Sequence, residues 1–379
     1  KMASSSVRCC GRPSIHPFRT ALLLVVFFAS AACAFHLPLT PIRTRSMGQG
    51  LPRPASSVTR DRPASLRVVA AFVPDKDSVK SSGRADAPVL QNPIILQDPT
   101  TKEKVEVRNH GACVTSYMTP DYDVLFVRPD AVMDGSKPIS GGIPLCWPQF
   151  GPGDIQQHGF ARNLKWECTD VREERPDAMT ALSWSRNTQR AVYELIHTKE
   201  TLAMWDGRFR CRYQVELSGG ALNLEFRVIN TGSAPLSFTG ALHTYFSVDD
   251  LDNLEISGPF SGKQFVDKTQ DPPAEATADS DTVTIDGFTE RVYQDVAGKV
   301  VIQDGDKKVT LECSEEWPDL AVWNPHGDDK MGYKNFVCVE HGAIAKLVTV
   351  DPDDIWSATV SITPSRGGFP AWMHGRLEK

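Results

Sequence analysis

The chain of 379 residues lacks the signatures of several large enzyme classes. It has no P-loop, no glycine-rich dinucleotide fingerprint and no nucleophile elbow of the G-x-S-x-G type. Six cysteines follow residue 70, and none of them has the close spacing of a C-x-x-C metal or redox motif. These absences give no support to nucleotide chemistry, to a serine nucleophile in an elbow or to a cysteine-bound structural metal.

Acidic residues are almost absent from the first 70 positions, which hold ten Lys and Arg but a single acid, Asp61. The whole chain has a net charge of −6, so residues 71–379 carry −15. Nucleic-acid binding requires clustered basic side chains, and an acidic domain does not supply them. We therefore expect no nucleic-acid partner.

The longest apolar run near the start, ALLLVVFFA at 21–29, is too short to span a bilayer, which takes about 18 residues or more. Three arginines precede it, and Ala32 and Ala34 follow in an A-x-A arrangement, so we predict a signal peptide at 1–34 and no membrane span in the mature form. Residues 35–70 have transit-peptide composition. The combination resembles the bipartite plastid presequence of algae with secondary plastids. The alternative is a secreted protein with a basic linker.

Short runs of alternating apolar and polar residues dominate the rest of the chain, and no long helix is predicted. Turn residues such as Ser-Gly-Gly at 218–220 separate neighbouring runs into hairpins. We predict a single all-β domain over 87–370, either a sandwich or a barrel. A polar loop is expected at 267–281. The clearest predicted strands are 95–99, 104–109, 211–217, 222–228, 299–303, 307–312 and 358–363.

Four segments carry side chains suited to chemistry, although each also has a structural explanation. A rigid loop rich in Gly and Pro bears Gln157, His158 and Arg162, and such loops often hold a site. A lone His243 at a strand end is more often a core histidine. Glu340, expected at the end of an apolar strand, is costly to bury unless it is paired or functional. The fourth segment, VWNPH at 322–326, carries an aromatic that could stack on a sugar or simply fill the core.

Taken in order, the motifs GGIPLCWPQFG, QHGFAR, LHTYF, ERVY, VWNP and VCVEHG closely resemble the aldose 1-epimerase (mutarotase) family. The residues of these motifs are most similar to those of the plant and algal members of its glucose-6-phosphate 1-epimerase branch, and the resemblance spans residues 90–370. The resemblance implies a galactose-mutarotase-like fold, a large antiparallel β-sandwich (supersandwich) with the sugar in a shallow cleft.

The resemblance also implies roles for individual residues. His243 matches the general acid of the family and Glu340 its general base, so these two are the expected catalytic residues. Many relatives have Arg at position 140, and its loss leaves Arg128 or Lys137 as candidate sources of a second positive charge. The expected substrate-binding residues are Gln157, His158, Arg162, Glu290 (commonly Asp in relatives), Ser140 and Trp323.

Interconverting two anomers needs one base for the C1 hydroxyl proton and one acid for the ring oxygen, without a cofactor or a metal. The expected activity is that of a monomeric glucose-6-phosphate 1-epimerase whose small-molecule partner is a sugar or sugar phosphate. Ser140 motivates one alternative, a mutarotase for unphosphorylated or other sugars. A non-catalytic carbohydrate-binding β-sandwich is the alternative from another class, but it would need neither the acid nor the base.

Overall fold

The alternation of buried and exposed side chains continues from strand to strand in the computed structural model, which describes residues 92–174 and 187–367. The predicted signal peptide at 1–34, the transit-like segment at 35–70 and both ends of the predicted 87–370 domain lie outside these residues. Only one α-helix, α1 at Lys199–Met204, occurs in the described ranges. No helix within them is long and apolar enough to cross a bilayer.

The strands are numbered here in chain order. They are β1 Ile94–Gln97, β2 Lys104–Arg108, β3 Cys113–Met118, β4 Leu145–Cys146, β5 Glu167–Glu174, β6 Thr188–Ile196, β7 Phe209–Ser218, β8 Ala221–Asn230, β9 Leu236–Leu242, β10 Tyr245–Ser247, β11 Leu254–Ser257, β12 Gln264–Asp267, β13 Ala274–Thr277, β14 Thr282–Val283, β15 Thr289–Tyr293, β16 Lys299–Asp304, β17 Lys307–Cys313, β18 Asp319–Asn324, β19 Phe336–Val350 and β20 Ile355–Arg366.

These strands form two large antiparallel sheets and one small one. The nine-stranded sheet has the order β14-β11-β16-β17-β20-β8-β7-β6-β5. The eight-stranded sheet has the order β13-β12-β15-β18-β19-β9-β4, with β10 also paired to β19, and β1-β2-β3 make the three-stranded sheet. The predicted antiparallel β-sandwich is confirmed.

The predicted hairpins are present. In β7 and β8, alternate residues are buried along the whole length, and Tyr213 pairs with Phe226 in the register. A two-residue turn after Asp304 joins β16 to β17. The prediction of one loop over 267–281 is wrong in part, because the exposed strand β13 lies within it and pairs with β12. Exposed side chains such as those of β13 leave no alternating pattern in the sequence.

Aromatic rings join the two large sheets. Trp147, directly after β4 and fully buried, has its ring centroid 4.7 Å from that of Phe209 in β7 and 5.8 Å from that of Phe238 in β9. Phe238 in turn lies 5.3 Å from Trp356 of β20. Aromatic side chains bury large apolar areas, so this seam is a main source of cohesion between the sheets.

Strand β19 is buried on both faces over its first half. Val337 and Val339 belong to the main core, whereas Cys338 joins a second, smaller cluster on the opposite face with Tyr245 and Phe336. Glu340, two residues after Cys338, shares that second face. The expectation that Glu340 ends its strand is wrong, because β19 continues to Val350.

Candidate active site

A cleft of about 350 Å³ lies on that second face of the eight-stranded sheet. Its size falls at the lower end of the range for small-molecule sites, about 300–1,000 Å³. Every residue predicted for the site lines it, although the residues come from the loops and strands between positions 140 and 340. They are Ser140, Gln157, His158, Arg162, His243, Glu290, Trp323 and Glu340.

Glu340 and His243 face each other because the sheet is interrupted next to β19. β9 ends at Leu242 and β10 begins at Tyr245, and the backbone N–H of His243 donates to the carbonyl of Pro144 at 2.9 Å instead of to β19. The Nδ1 atom of His243 is 3.4 Å from Oε1 of Glu340. A carboxyl group and an imidazole are thus adjacent at the floor of the cleft.

Both groups are deeply buried, with exposed fractions of 1% for Glu340 and 8% for His243. Burial raises the pKa of Glu340 well above its ordinary value, and Glu290 adds to the rise while Lys268 and Arg162 oppose it. Burial lowers the pKa of His243, and the nearby His158 and Arg162 lower it further. Glu340 Oε2 and His243 Nδ1 have no hydrogen-bond partner in the described part of the chain. Buried titratable groups with shifted pKa values in a cleft mark a candidate functional site.

His158 is held as a neutral hydrogen-bond donor. The backbone N–H of Gly151 donates to its Nδ1 at 3.3 Å, which leaves the ring proton on Nε2. Burial, helped by Arg162 and Lys268, lowers the pKa of His158 to about 3. The loop that carries it turns sharply at Gly159, where a Cβ atom would overlap the carbonyl of Trp147. The Gly-rich sequence of this loop is therefore what brings His158 over the cleft.

Aromatic neighbours fix the ring of His243. It stacks on Tyr245 with centroids 4.9 Å apart and planes 11° apart. Trp323 meets it edge-on at 5.9 Å and His158 at 5.4 Å. Packing on three sides restricts the rotamers of the imidazole and holds the ring in one orientation.

Positive charge lies along the same cleft. Arg162 donates from its Nη2 to the carbonyl of Gln157 at 3.1 Å. Lys268 follows β12, and its Nζ lies 5.4 Å from the ring centroid of Phe150. Glu290, on the neighbouring strand β15, is half-buried, and burial raises its pKa although Lys268 opposes the rise.

Of the two residues considered as a substitute for the missing arginine, Arg128 lines the cleft and Lys137 does not. Arg128 already donates from Nε and Nη2 to the two carboxylate oxygens of Asp130, at 2.9 and 2.7 Å. Lys268 is the cation that sequence reasoning missed. It stands in the polar segment after β12, where nothing in the sequence pattern distinguishes it from a solvated lysine.

Sequence and structure comparisons show which known proteins the chain is similar to. The aldose 1-epimerase profile matches residues 94–363. A protein of the plant Cenchrus ciliaris, provisionally named glucose-6-phosphate 1-epimerase, is 31% identical over 297 residues, which are 71% of this chain and 87% of the relative. A protein of the same provisional name from Escherichia coli K12 is 30% identical over 65% of this chain and 81% of its own length.

Among solved structures, a provisionally named mutarotase from Salmonella typhimurium superposes with a TM-score of 0.62 and 25% identity, covering 73% of this chain and 92% of its own. The predicted mutarotase-like fold and the predicted family are both confirmed. The chain belongs to the aldose 1-epimerase family and is an isomerase.

Proposed function

We propose that the protein interconverts the α and β anomers of hexose 6-phosphates, with glucose 6-phosphate as its main substrate. The observation that carries this proposal is the pairing of Glu340 and His243 at 3.4 Å in a cleft that also holds Arg162 and Lys268. The first pair supplies the acid and base, and the two cations supply charge for a phosphate. Two of the relatives carry this activity in their provisional names.

Glu340 and His243 share one proton, and burial favours the neutral form in which Glu340 holds it. The proposed reaction starts from the ion-paired form, in which protonated His243 lies 3.4 Å from ionised Glu340 and Lys268 favours the carboxylate. Glu340 then accepts the proton of the C1 hydroxyl while His243 donates a proton to the ring oxygen. The C1–O5 bond breaks, the open-chain aldehyde rotates about C1–C2, and the ring closes on the other face of C1. In the closing step, the O5 hydroxyl returns its proton to His243 and Glu340 returns its proton to the new C1 hydroxyl. The pair holds the same number of protons after each step, so no exchange with water is required.

The remaining cleft residues orient the sugar. His158, uncharged near neutral pH because its pKa is lowered to about 3, donates from Nε2 to a sugar oxygen and does not transfer a proton. Glu290 and Gln157 offer oxygens to sugar hydroxyls. Trp323 supplies an apolar face of the kind on which sugar rings pack.

The phosphate is assigned to Lys268 and Arg162. A point-charge ammonium and a guanidinium both bind phosphate oxygens, the guanidinium in bidentate fashion. Arg128 is already held by Asp130, and Ser140 is uncharged. Ser140 is also the observation that favours the second candidate, a mutarotase for free sugars, because it stands where many relatives have an arginine.

The deciding experiment measures anomer exchange of glucose 6-phosphate and of glucose by NMR, with the protein and with buffer alone. Faster exchange of the phosphorylated sugar supports the proposal. Equal catalytic efficiency on both sugars would transfer support to the free-sugar candidate. No acceleration of either sugar would remove both.

We also propose that the protein acts in a plastid, since residues 1–34 and 35–70 have the composition of a bipartite presequence, and that it acts as a monomer. Expression in a diatom of residues 1–70 fused to a fluorescent protein tests the proposed plastid localisation, and secretion into the medium would refute it. Light scattering coupled to size exclusion tests the monomer, and a mass of twice the chain or more would refute it.

A further inference from the structure

The acid and base are accompanied by a third side chain with metal-binding atoms. Cys338 lies two residues before Glu340 on the same face of β19, and it pairs across the sheet with Tyr245, two residues after His243. One donor atom from each of Cys338, His243 and Glu340 falls within a group no more than 4.8 Å across. All three residues are buried.

Two of these donors are unpartnered as well as buried. His243 Nδ1 and Glu340 Oε2 lack hydrogen bonds within the described ranges. Buried polar atoms are nearly always satisfied, so atoms left open in this way call for an explanation. A sugar would occupy the cleft side of the acid and base. The proposed anomer exchange has no use for the adjacent thiol, which does not line the cleft.

Thiol, imidazole and carboxylate are together a typical ligand set for Zn²⁺. With ligand distances of about 2.0–2.3 Å and tetrahedral angles, neighbouring donor atoms around Zn²⁺ lie about 3.3–3.7 Å apart. The 3.4 Å between His243 Nδ1 and Glu340 Oε1 meets that requirement, and the widest separation in the group, 4.8 Å, has to shorten by about 1 Å when the ion binds. Mg²⁺ and Ca²⁺ prefer six or more oxygen ligands, and a thiol excludes them.

We propose that Cys338, His243 and Glu340 bind Zn²⁺ at the floor of the cleft and that the bound ion inhibits the enzyme. His243 and Glu340 line the cleft, which gives the ion a path from solvent. Binding replaces the thiol proton, and the carboxyl proton where present, both of which pass to the buffer; no oxidation is involved. The inhibitory part of this proposal rests on the proposed anomerase function, because the ion occupies the lone pairs that would transfer protons.

The test compares the wild type with Cys338→Ser and with a matched control, Cys211→Ser, which alters a buried cysteine of β7 in the other sheet. Co²⁺ alone is added first, as a probe whose thiolate-to-metal charge-transfer absorption reports a cysteine ligand. Zn²⁺ is then titrated into the NMR exchange assay, and EDTA is added to reverse its effect. The wild type and Cys211→Ser should show the absorption band and reversible inhibition.

Cys338→Ser should lose the band and require at least about tenfold more Zn²⁺ for half-inhibition, since even loss of an outer-shell partner costs 10- to 100-fold in affinity. Its exchange rate without metal shows that it is folded, and Cys338→Ala serves as a second variant. An unchanged band and unchanged inhibition in both Cys338 variants would overturn the site. A band that depends on Cys338 in a protein without anomerase activity would keep the site and refute the proposed function.

Discussion

Replacing Glu340 by Gln should remove most of the activity while making the fold more stable at neutral pH. The substitution keeps the shape of the side chain and removes only its ability to accept a proton. The exposed fraction of Glu340 is 1%, so the amide stays in the same packed position. Loss of activity can then be assigned to chemistry and not to a collapsed cleft.

The size of the activity loss follows from the proposed role. A positioned general base contributes about 10²–10⁴ in rate. We expect kcat for anomer exchange of glucose 6-phosphate to fall by that factor, equivalent to about 2.7–5.5 kcal/mol in the barrier. KM should change little, because the phosphate and the sugar hydroxyls other than that on C1 bind elsewhere in the cleft. NMR exchange spectroscopy measures both constants once the uncatalysed rate is subtracted.

The stability gain has a definite pH dependence. Because the pKa of Glu340 is raised in the folded state, its contribution to stability is present below about pH 4.5 and is lost as the pH rises through the folded-state pKa. The loss has a slope of up to about 1.4 kcal/mol per pH unit. The lowered pKa of His243 acts in the opposite sense, because its contribution is present above about pH 6.5 and is lost as the pH falls. Above pH 6.5, therefore, denaturant unfolding should show Glu340→Gln more stable than the wild type.

A matched control is Glu290→Gln, which makes the same chemical change in a half-buried carboxylate of the same cleft. This variant should raise KM and reduce kcat much less than Glu340→Gln does. The reasoning is refuted if Glu340→Gln keeps kcat within a few fold of the wild type. A larger loss of kcat in Glu290→Gln would indicate that Glu290, and not Glu340, is the general base.

Three further changes have separate expected outcomes. Lys268→Met should raise KM for glucose 6-phosphate by about 10- to 100-fold, because that factor corresponds to the loss of one hydrogen bond to a charged group. KM for glucose should not change, and equal losses on both sugars would contradict the phosphate assignment. Ser140→Arg should raise kcat/KM for the phosphorylated sugar only, measured in the same assay. Trp147→Ala should lower the free energy of unfolding by about 3–5 kcal/mol in denaturant titrations, and a loss under 1 kcal/mol would show that the aromatic seam is not a main source of cohesion.

Much of the fold could be predicted from the sequence, because apolar and polar residues alternate along a strand that has one buried face. The hairpin of β7 and β8 has this pattern over ten residues in each strand. β19 does not, because its first half is buried on both faces, and its apolar run gave no sign that the strand continues past Glu340. β13 is exposed on both faces and so has no hydrophobic pattern to read.

The site was predictable to the extent that its residues belong to motifs. His158, His243 and Glu340 stand in sequence contexts that resemble one family closely, so all three could be named before the cleft was known. Lys268 reaches the cleft only because β12 pairs with β15, beside Glu290. That pairing is a property of sheet order, and sheet order is not contained in the local pattern around a single lysine.

Two buried carboxylates on adjacent strands of one sheet differ in their hydrogen bonding. Asp319, at the start of β18, accepts backbone N–H groups of Ile344 and Ala345 through Oδ2 at 2.8 and 2.7 Å, and so closes the irregular pairing of β19 there. Glu340 is equally buried, yet its Oε2 has no partner within the described ranges. Glu340 lines the cleft, so the unused hydrogen-bonding capacity of its carboxyl group is available to a ligand bound there. Sugar hydroxyls, which both donate and accept, are suited to use that capacity.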